Sequence, residues 1–503
     1  MRRALPLALV VGLLGCNLHP VSENPAPPIE LPDQFAQSAG DEAPPETPMS
    51  DRWWEAFGDP ELNHLVDEAL ARNYQLGAAW ARLEQAESVI QAQSSASWPQ
   101  ISAQLDVARR RQVVVFGALG RQEFEVNSFG LSVPVSYEVD LWNRVGHSVA
   151  AAGFDALASR DDVEALALTL VANVVEAWLG LLQQRSLNAL IGEQHHTNEI
   201  YAELVQLRFE HGLGTALDVY QQQQRTRATA AQLAQAQGNE EVARQQLAVL
   251  TGRMPGAFRG QIGQLPEPTH MPAVPALPPT GIPADLLLRR PDVRAARRRV
   301  TAQDHRVGAA IADQLPRFNF QASIGLSSPS VEDLLSSFVW SLASSLLAPV
   351  LDGGRRAAEV RRNRAALRER VQTFAQTLLT AMLEVENALA QERQIAVQIT
   401  HLDGQLEATR ATLNEAQRRY REGLSDYLPV LTALSSVQGI EQQRLATERQ
   451  FLSQRVQLAR ALGGTWTVDL EPPRLPEPQG EDEREEEEPE ADDAPDADET
   501  EAT

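Results

Sequence analysis

Two periodicities alternate along this chain, and the alternation happens twice. Ile101, Ala103, Leu105 and Val107 interleave with Ser102, Gln104, Asp106 and Ala108. Phe129, Leu131, Val133, Val135, Tyr137 and Val139 interleave in the same way with small or polar residues. A period of two predicts strands. The second half repeats the pattern from Phe318 to Leu326 and from Phe338 to Val350, with Ser344 interrupting.

After each strand pair come long runs rich in Ala, Leu, Gln and Glu, the composition of good helix formers. No proline occurs between Pro134 and Pro255. Residues 144–191 and 193–251 predict two helices, roughly 70 and 90 Å long at 1.5 Å per residue. Residues 355–400 and 402–462 are their counterparts. Gly192 and the stretch His401-Leu402-Asp403-Gly404 are the expected crossing points. Val163, Leu166, Leu170, Val174, Ala177 and Leu181 recur at spacings of three and four, so one helix face is apolar. Helices of this length must pack side by side as coiled coils.

The order helix, two strands, two long helices is a duplicated unit. Pro99 and Pro316 each precede an alternating strand. Arg208-Phe209-Glu210-His211-Gly212-Leu213 matches Arg419-Tyr420-Arg421-Glu422-Gly423-Leu424, and Leu250-Thr251-Gly252 matches Leu462-Gly463-Gly464. Three matches at nearly one spacing indicate duplication. Repeat one covers 53–252, repeat two covers 284–466, and a proline-rich linker, 253–283, joins them. Alternating strands suit both a membrane β-barrel and an ordinary half-buried sheet. Four strands cannot close even the smallest barrel, about eight strands, so their edges stay open or pair with other copies.

The termini carry a different kind of information. Arg2 and Arg3 precede an apolar run from Ala4 to Leu14, the layout of a signal peptide over 1–15. Leu13-Leu14-Gly15-Cys16 closes it as a lipobox and predicts a lipidated, palmitate-bearing Cys16. Each buried CH₂ contributes about 0.8 kcal/mol, so several acyl chains anchor firmly. Asn17 follows in place of an aspartate, which favours the outer membrane as destination. Residues 16–52 are proline-rich and read as an extended tether. Residues 467–503 end in a block of acids opposed only by Arg484 from Leu475 onward, a composition that stays disordered.

Composition then removes whole classes of function. The 503 residues carry a net charge of −24, and all 44 basic residues are arginine. Such acidity argues against any nucleic-acid partner. One cysteine excludes a disulfide framework or a multi-thiolate metal cluster within the chain. No mature stretch is expected to cross a membrane as a helix. His195-His196 invites a metal reading, but adjacent helical side chains point about 100° apart, so a solvated turn is expected instead. Asp352-Gly353-Gly354-Arg355 lacks the P-loop lysine, and no G-x-S-x-G occurs. No enzyme chemistry and no cofactor is expected. Trp53-Trp54 is expected to pack in a folded-back N-terminal segment.

Five motifs occur in fixed order. They are Trp53-Trp54-x-x-Phe57-x-Asp59-Pro60-x-Leu62, Tyr137-Glu138-Val139-Asp140-Leu141-Trp142, Leu287-x-Arg289-Arg290-Pro291-Asp292-Val293, Pro349-x-Leu351-Asp352-Gly353-Gly354-Arg355 and Arg419-Tyr420-x-x-Gly423-Leu424-x-x-Tyr427-Leu428. In that order and spacing, over about 53–466, the chain resembles the TolC-like outer membrane factors, specifically the OprM/NodT-type lipoprotein branch. The resemblance implies a mainly α protein with a membrane β-barrel. It implies a homotrimer whose four strands per chain make a twelve-stranded barrel, with the long helices forming a periplasmic α-barrel. It also implies an exit duct in the bacterial outer membrane, lipid-anchored and extending into the periplasm. Such a duct passively conducts small molecules expelled by an inner-membrane pump of RND type through a periplasmic adaptor.

The resemblance further implies a closed inner end near Gly423. Arg419 and Tyr420 match the pair that hydrogen-bonds between neighbouring helices there, and Leu428 matches the apolar ring that narrows the lumen. Thr432 departs from the pattern: close relatives often have an aspartate at that position, and a threonine supplies no carboxylate. Asp426 and Asp218 are the candidates for compensating charge. For Tyr420 and Leu428, ordinary coiled-coil packing stands as the alternative. Two other functions fit part of the pattern, a periplasmic adaptor and a structural coiled-coil lipoprotein. The duplicated strand-strand-helix-helix unit argues against the first, and the strands argue against the second.

Overall fold

The structure, a computed structural model, describes residues 19–38, 52–116, 120–256, 271–277 and 283–474. The signal peptide, Cys16 and the acidic tail from 475 lie outside the described residues. Repeat one contains α1 (Pro60–Arg72), α2 (Tyr74–Ser94), β1 (Gln100–Ile101), β2 (Gln104–Phe116), β3 (Gly120–Val139), α3 (Arg144–Glu210) and α4 (Ala216–Leu250). Repeat two contains α5 (Pro291–Ala312), β4 (Arg317–Ser328), β5 (Phe338–Leu347), α6 (Arg355–Arg421) and α7 (Leu428–Leu462).

The duplication is visible in the caps. The Asp140 carboxylate accepts from the backbone N–H of Arg144 at 2.6 Å and of Gly146 at 2.9 Å, opening α3. Asp352 does the same for Gly354 at 3.0 Å and Arg356 at 3.2 Å, opening α6. Carboxylates at a helix N-terminus satisfy its orphan N–H groups and oppose its dipole. At the other ends, the Asn73 amide donates to the Leu250 carbonyl at 2.9 Å, and Arg290 donates to that of Ala461 at 3.0 Å. These contacts account for the aspartate that recurs in the two repeats and for Asn73 and Arg290 at corresponding places.

Both crossing points differ from the sequence expectation. Gly192 and Gly404 lie inside uninterrupted helices, and α3 and α6 each run 67 residues, about 100 Å. A single glycine costs a helix only about 1 kcal/mol, which the packing of a long helix absorbs. The chain turns instead at Gly212 and Gly423, with φ of 71° and 73°. There Leu213 N–H reaches Arg208 C=O at 2.8 Å and Gly212 N–H reaches Phe209 C=O at 2.9 Å. Leu424 and Gly423 repeat this with Arg419 and Tyr420 at 2.8 and 3.2 Å. The paired bonds form a Schellman stop, which needs a left-handed residue after the helix. His195 and His196 accordingly sit within α3 rather than in a turn, and His195 bonds Thr229 Oγ1 at 3.2 Å.

The sheet order is β2–β3–β4–β5, all antiparallel, with β1 continuing the line of β2 against β3. Cross-strand partners share a face, so the register aligns whole rows. Phe338, Leu326, Leu131 and Leu105 form one row, and Trp340, Ile324 and Val133 the next. Leu342, Ala322, Val135 and Ile101 form the third. The opposite face carries Ser341, Ser323, Pro134, Gln321, Ser136, Asn319 and Glu138. An ordinary half-buried sheet covers its apolar face. Here that face is bare: Leu342 is 71% exposed, Trp340 68% and Leu105 69%. No helix or second sheet packs on it among the described residues. The β2–β3 hairpin also extends past the alternating segment. Arg109 pairs with Glu125 and Arg111 with Glu123 across it, which is why the Arg109-Arg110-Arg111 run does not end the strand.

Helix α3 contains a window apolar and long enough to cross a membrane by composition, against the sequence expectation. It is a core helix. Val163, Leu170, Val174, Trp178 and Leu182 pack with Trp54, Leu62 and Leu76 of the preceding segment, and Trp54 meets Trp466 edge-on at 5.1 Å. A second core joins α5, α6 and the end of α7, and Phe35 from the N-terminal segment is completely buried in it. Residues 19–38 are therefore docked on repeat two. His19 meets Asp304 at 2.7 Å, and the Glu386 carboxylate accepts from the N–H groups of Ala36 and Gln37.

Where that segment begins, the Nδ1 atoms of buried His147 and half-buried His305 lie 3.0 Å apart. Burial holds both imidazoles below the ordinary histidine range. For His147 the charges of His305 and His19 add to this, against Asp140 and Asp304. For His305, Asp304 and Glu23 oppose burial and His19 adds to it. A depressed folded pKa means that stability is present above about pH 6.5 and is lost as pH falls through the folded values. Thermal melting is expected to drop between about pH 7.5 and about pH 5, and the drop is expected to shrink in His147→Gln/His305→Gln.

Candidate functional site

The two Schellman turns bring the far ends of both helical hairpins together. Val205 and Val219 from the first hairpin pack with Ala416, Tyr420, Tyr427 and Val430 from the second. The Arg208 guanidinium lies 4.4 Å from the Tyr420 ring centroid, and the Tyr420 and Tyr427 rings are 5.4 Å apart. The Tyr427 side chain, fully buried, donates its hydroxyl to Gln222 Oε1 at 2.7 Å. Gln222 Nε2 donates in turn to the Asn198 carbonyl at 2.7 Å. Gln417 donates to the Tyr201 hydroxyl. Burial pushes the Tyr427 phenol well above its ordinary range, with Tyr201, Tyr420 and Asp218 adding to the effect, so it stays a donor at any physiological pH.

Above this cluster the two hairpins meet through buried polar groups. Asn198, Gln222, Thr229 and Gln438 are all buried where α3, α4 and α7 converge. Arg225 donates to Gln438 Oε1 at 2.7 Å, and Gln194 donates to the Gln438 carbonyl at 3.2 Å. A groove of about 960 Å³ opens beside them between α3, α6 and α7, lined by charged and amide side chains including Glu193, Arg410 and Glu441. Helix α7 also has one exposed stripe, Leu428, Thr432, Ser436, Gly439 and Gln443. Leu428, at 54% exposure, is its one large apolar member.

A bare apolar belt on the sheet, two open strand edges and a helical body about 100 Å long are the features against which known proteins are compared. The sequence profile of the family described as "Outer membrane efflux protein" matches residues 65–253 and 282–464. The chain belongs to this family. The pyoverdine export outer membrane protein OpmQ of Pseudomonas aeruginosa is 30% identical over 430 residues, 83% of this chain and 88% of its own. Outer membrane protein OprJ of the same organism is 30% identical over 482 residues, 92% of this chain and 95% of its own. Among solved structures, the outer-membrane channel OprN superposes with a TM-score of 0.80 at 27% identity, covering 90% of this chain and all of that one. This outer membrane efflux protein is an exit duct, and the matched ranges cover most of each repeat.

Within this efflux protein, the predicted gate residues divide into two groups. Tyr420 is buried in the tip cluster, but among the described residues its hydroxyl has no hydrogen-bond partner. Arg419 is exposed and among the described residues pairs with Glu415 alone, one turn back on α6, at 3.8 Å. Within the chain, Tyr427 and Gln222 make the hydrogen bond between the hairpins, and Tyr420 is turned against the Arg208 guanidinium. Leu428 and Thr432 share the exposed stripe, and Asp426 is exposed beside it. Asp218 closes a capping box: its carboxylate accepts from Thr215 N–H and Oγ1, at 2.9 and 2.8 Å, while Thr215 Oγ1 accepts from Asp218 N–H.

Asp218 thus has a local task, and Thr215-x-x-Asp218 is a sequence signature of it. Thr215→Val is expected to destabilise the first turn of α4 by about 1 kcal/mol, read as faster amide exchange over 216–219 with the tip cluster intact. A change in ion selectivity with no change in exchange would show that Asp218 acts as a charge instead. The buried amides were not found from sequence, although Val219, Gln222, Thr226 and Thr229 follow core spacing on α4. A polar residue at a core position was the available signal.

Proposed function

We propose that three copies of this chain close edge to edge into a twelve-stranded barrel in the outer membrane, continued by a helical tunnel into the periplasm. The observation that carries this reading is the uncovered apolar belt bounded by two unpaired strand edges. Water cannot satisfy an open edge inside lipid, so a membrane sheet must close, and the four-stranded sheet needs other copies to do it. The helices follow the same plan. Near the sheet they pack in the order α2, α3, α5, α6, and toward the tip in the order α4, α3, α7, α6, leaving one free flank on each side.

The tunnel conducts small molecules passively, driven by an RND-type inner-membrane pump through a periplasmic adaptor. Its inner end is narrowed by Leu428 and its symmetry mates, with Arg419, Tyr420, Thr432 and Asp426 around it. A lipid on Cys16 fits the docked N-terminal segment. His19, three residues later, sits beside His147 in the first turn of α3, close under the sheet. Three residues of extended chain span about 10 Å, enough to place the acyl groups in the inner leaflet.

Transport in cells tests the proposal. In a host without its own outer-membrane channels but with the chain's cognate pump and adaptor, adding the chain is expected to lower accumulation of an amphiphilic dye to wild-type levels. An equal effect without the pump, or none with it, would contradict the duct reading.

A further inference from the structure

The closed ring makes a demand on the free flanks of each chain, and the charges there are distributed to meet it. On one flank is α2, which leads into β1 and the β2 edge. On the other is α6, which follows the β5 edge. Glu84 and Glu87 lie on α2 at spacings that continue from Trp80, the ring stacked on Arg160, with Glu87 at the outer lip of the groove between α2 and α3. Arg160 also donates to the carbonyls of Val468 and Leu470, which places this side of α2 on the outer surface of the body. Arg361, Arg364 and Arg368 lie on α6 along a stripe that continues down to Glu386, where the docked N-terminal segment is held. This too is the outer surface.

All five side chains are exposed, and none has an ionic partner among the described residues. Their neighbours differ in this respect: Arg356 pairs with Asp313 and Asp352, and Arg362 with Glu359. The heights agree as well. Counted from the sheet-proximal ends of their helices, Glu87 and Glu84 lie about 10 and 15 Å down, and Arg361, Arg364 and Arg368 about 9, 14 and 20 Å down. The helix faces between them carry small side chains, Ala81, Ser88 and Ala92 on α2 and Ala358 and Ala365 on α6, so the backbones can approach closely.

We infer that these groups form an ion-pair seam between copies, with Glu84 and Glu87 of one chain set against Arg361, Arg364 and Arg368 of the next. The inference rests on the assembly proposed above and specifies how its helical flanks recognise one another. Opposite charges at three identical seams fix which flank meets which and at what height, the use of charge that interfaces make most consistently. An arginine fork can bridge two carboxylates one turn apart, which a point charge does less well.

Charge reversal tests it. Glu84→Arg/Glu87→Arg and Arg361→Glu/Arg364→Glu/Arg368→Glu are each expected to lower the temperature at which the detergent-resistant oligomer dissociates by about 5 °C or more. Their combination in one chain is expected to restore most of the loss. Wild type is expected to lose part of its margin in high salt. Losses that add in the combined variant would overturn the seam. So would a silent glutamate reversal alongside an arginine reversal that weakens binding to anionic vesicles, since the arginines would then serve lipid headgroups. An intact trimer indifferent to every reversal defeats the seam alone, whereas a monomeric wild type defeats the assembly and the seam with it.

Discussion

Leu342→Arg is expected to remove the protein from the outer membrane, while Ser341→Arg, one residue away, leaves it there. Leu342 sits with Ala322 and Val135 in the third of the five rows of that face that run from Phe338 to Leu346, 71% exposed in the single chain. Ser341 pairs with Ser323 on the opposite face. An arginine on the lipid face near the bilayer midplane costs about 2–4 kcal/mol, and a closed trimer incurs that cost three times. An arginine on the inner face meets water. Membrane fractionation and the yield of heat-resistant oligomer read the contrast. Equal loss from both substitutions would mean that the sheet is an ordinary soluble one with both faces covered.

The second large effect is expected at the tip. Tyr427→Ala removes a fully buried ring, a deletion that costs about 3–5 kcal/mol in packed cores. It also strands Gln222 Oε1, which adds about 1–3 kcal/mol. The loss falls where α7 begins and where the two hairpins of the chain meet, so the tips are expected to separate before the rest of the body loosens. In planar bilayers the single-channel conductance is expected to rise several-fold, and cells are expected to become sensitive to large hydrophilic antibiotics. Tyr427→Phe keeps the ring but leaves Gln222 Oε1 unpaired, a loss of about 1–3 kcal/mol, with a smaller rise. Tyr420→Phe is expected to change nothing, because among the described residues the Tyr420 hydroxyl makes no hydrogen bond. If Tyr420→Phe opened the duct and Tyr427→Ala did not, the latch would lie between copies and not within one.

The strands were legible from alternation, and their register put the predicted apolar residues that fall within strands on one face, while Ala103, Ala348 and Val350 lie outside them. What alternation could not tell was whether that face is covered, since lipid and protein core select the same side chains. The long helices were legible from composition, but their ends were not. Gly192 and Gly404 look like breaks and are not, whereas Gly212 and Gly423 are, and only the latter follow a final turn that closes on a left-handed residue. The proline-rich N-terminal segment cannot fold alone, yet residues 19–38 dock because Phe35 fills a place in the core of repeat two. At the tip, motif matching pointed to Arg419 and Tyr420. The hydrogen bond seen within the chain is made by Tyr427, which stands in the same motif and pairs with an amide that no motif contains.

The central claim is that this chain is one third of a membrane-spanning cylinder. Light scattering and negative-stain imaging of the detergent-extracted protein from separated outer membranes test it most directly. The expected particle has the mass of three chains and is a hollow cylinder well over 100 Å long, since the longest helices alone run about 100 Å before the sheet is added. A monomer, or a complex confined to the inner membrane, would contradict the claim.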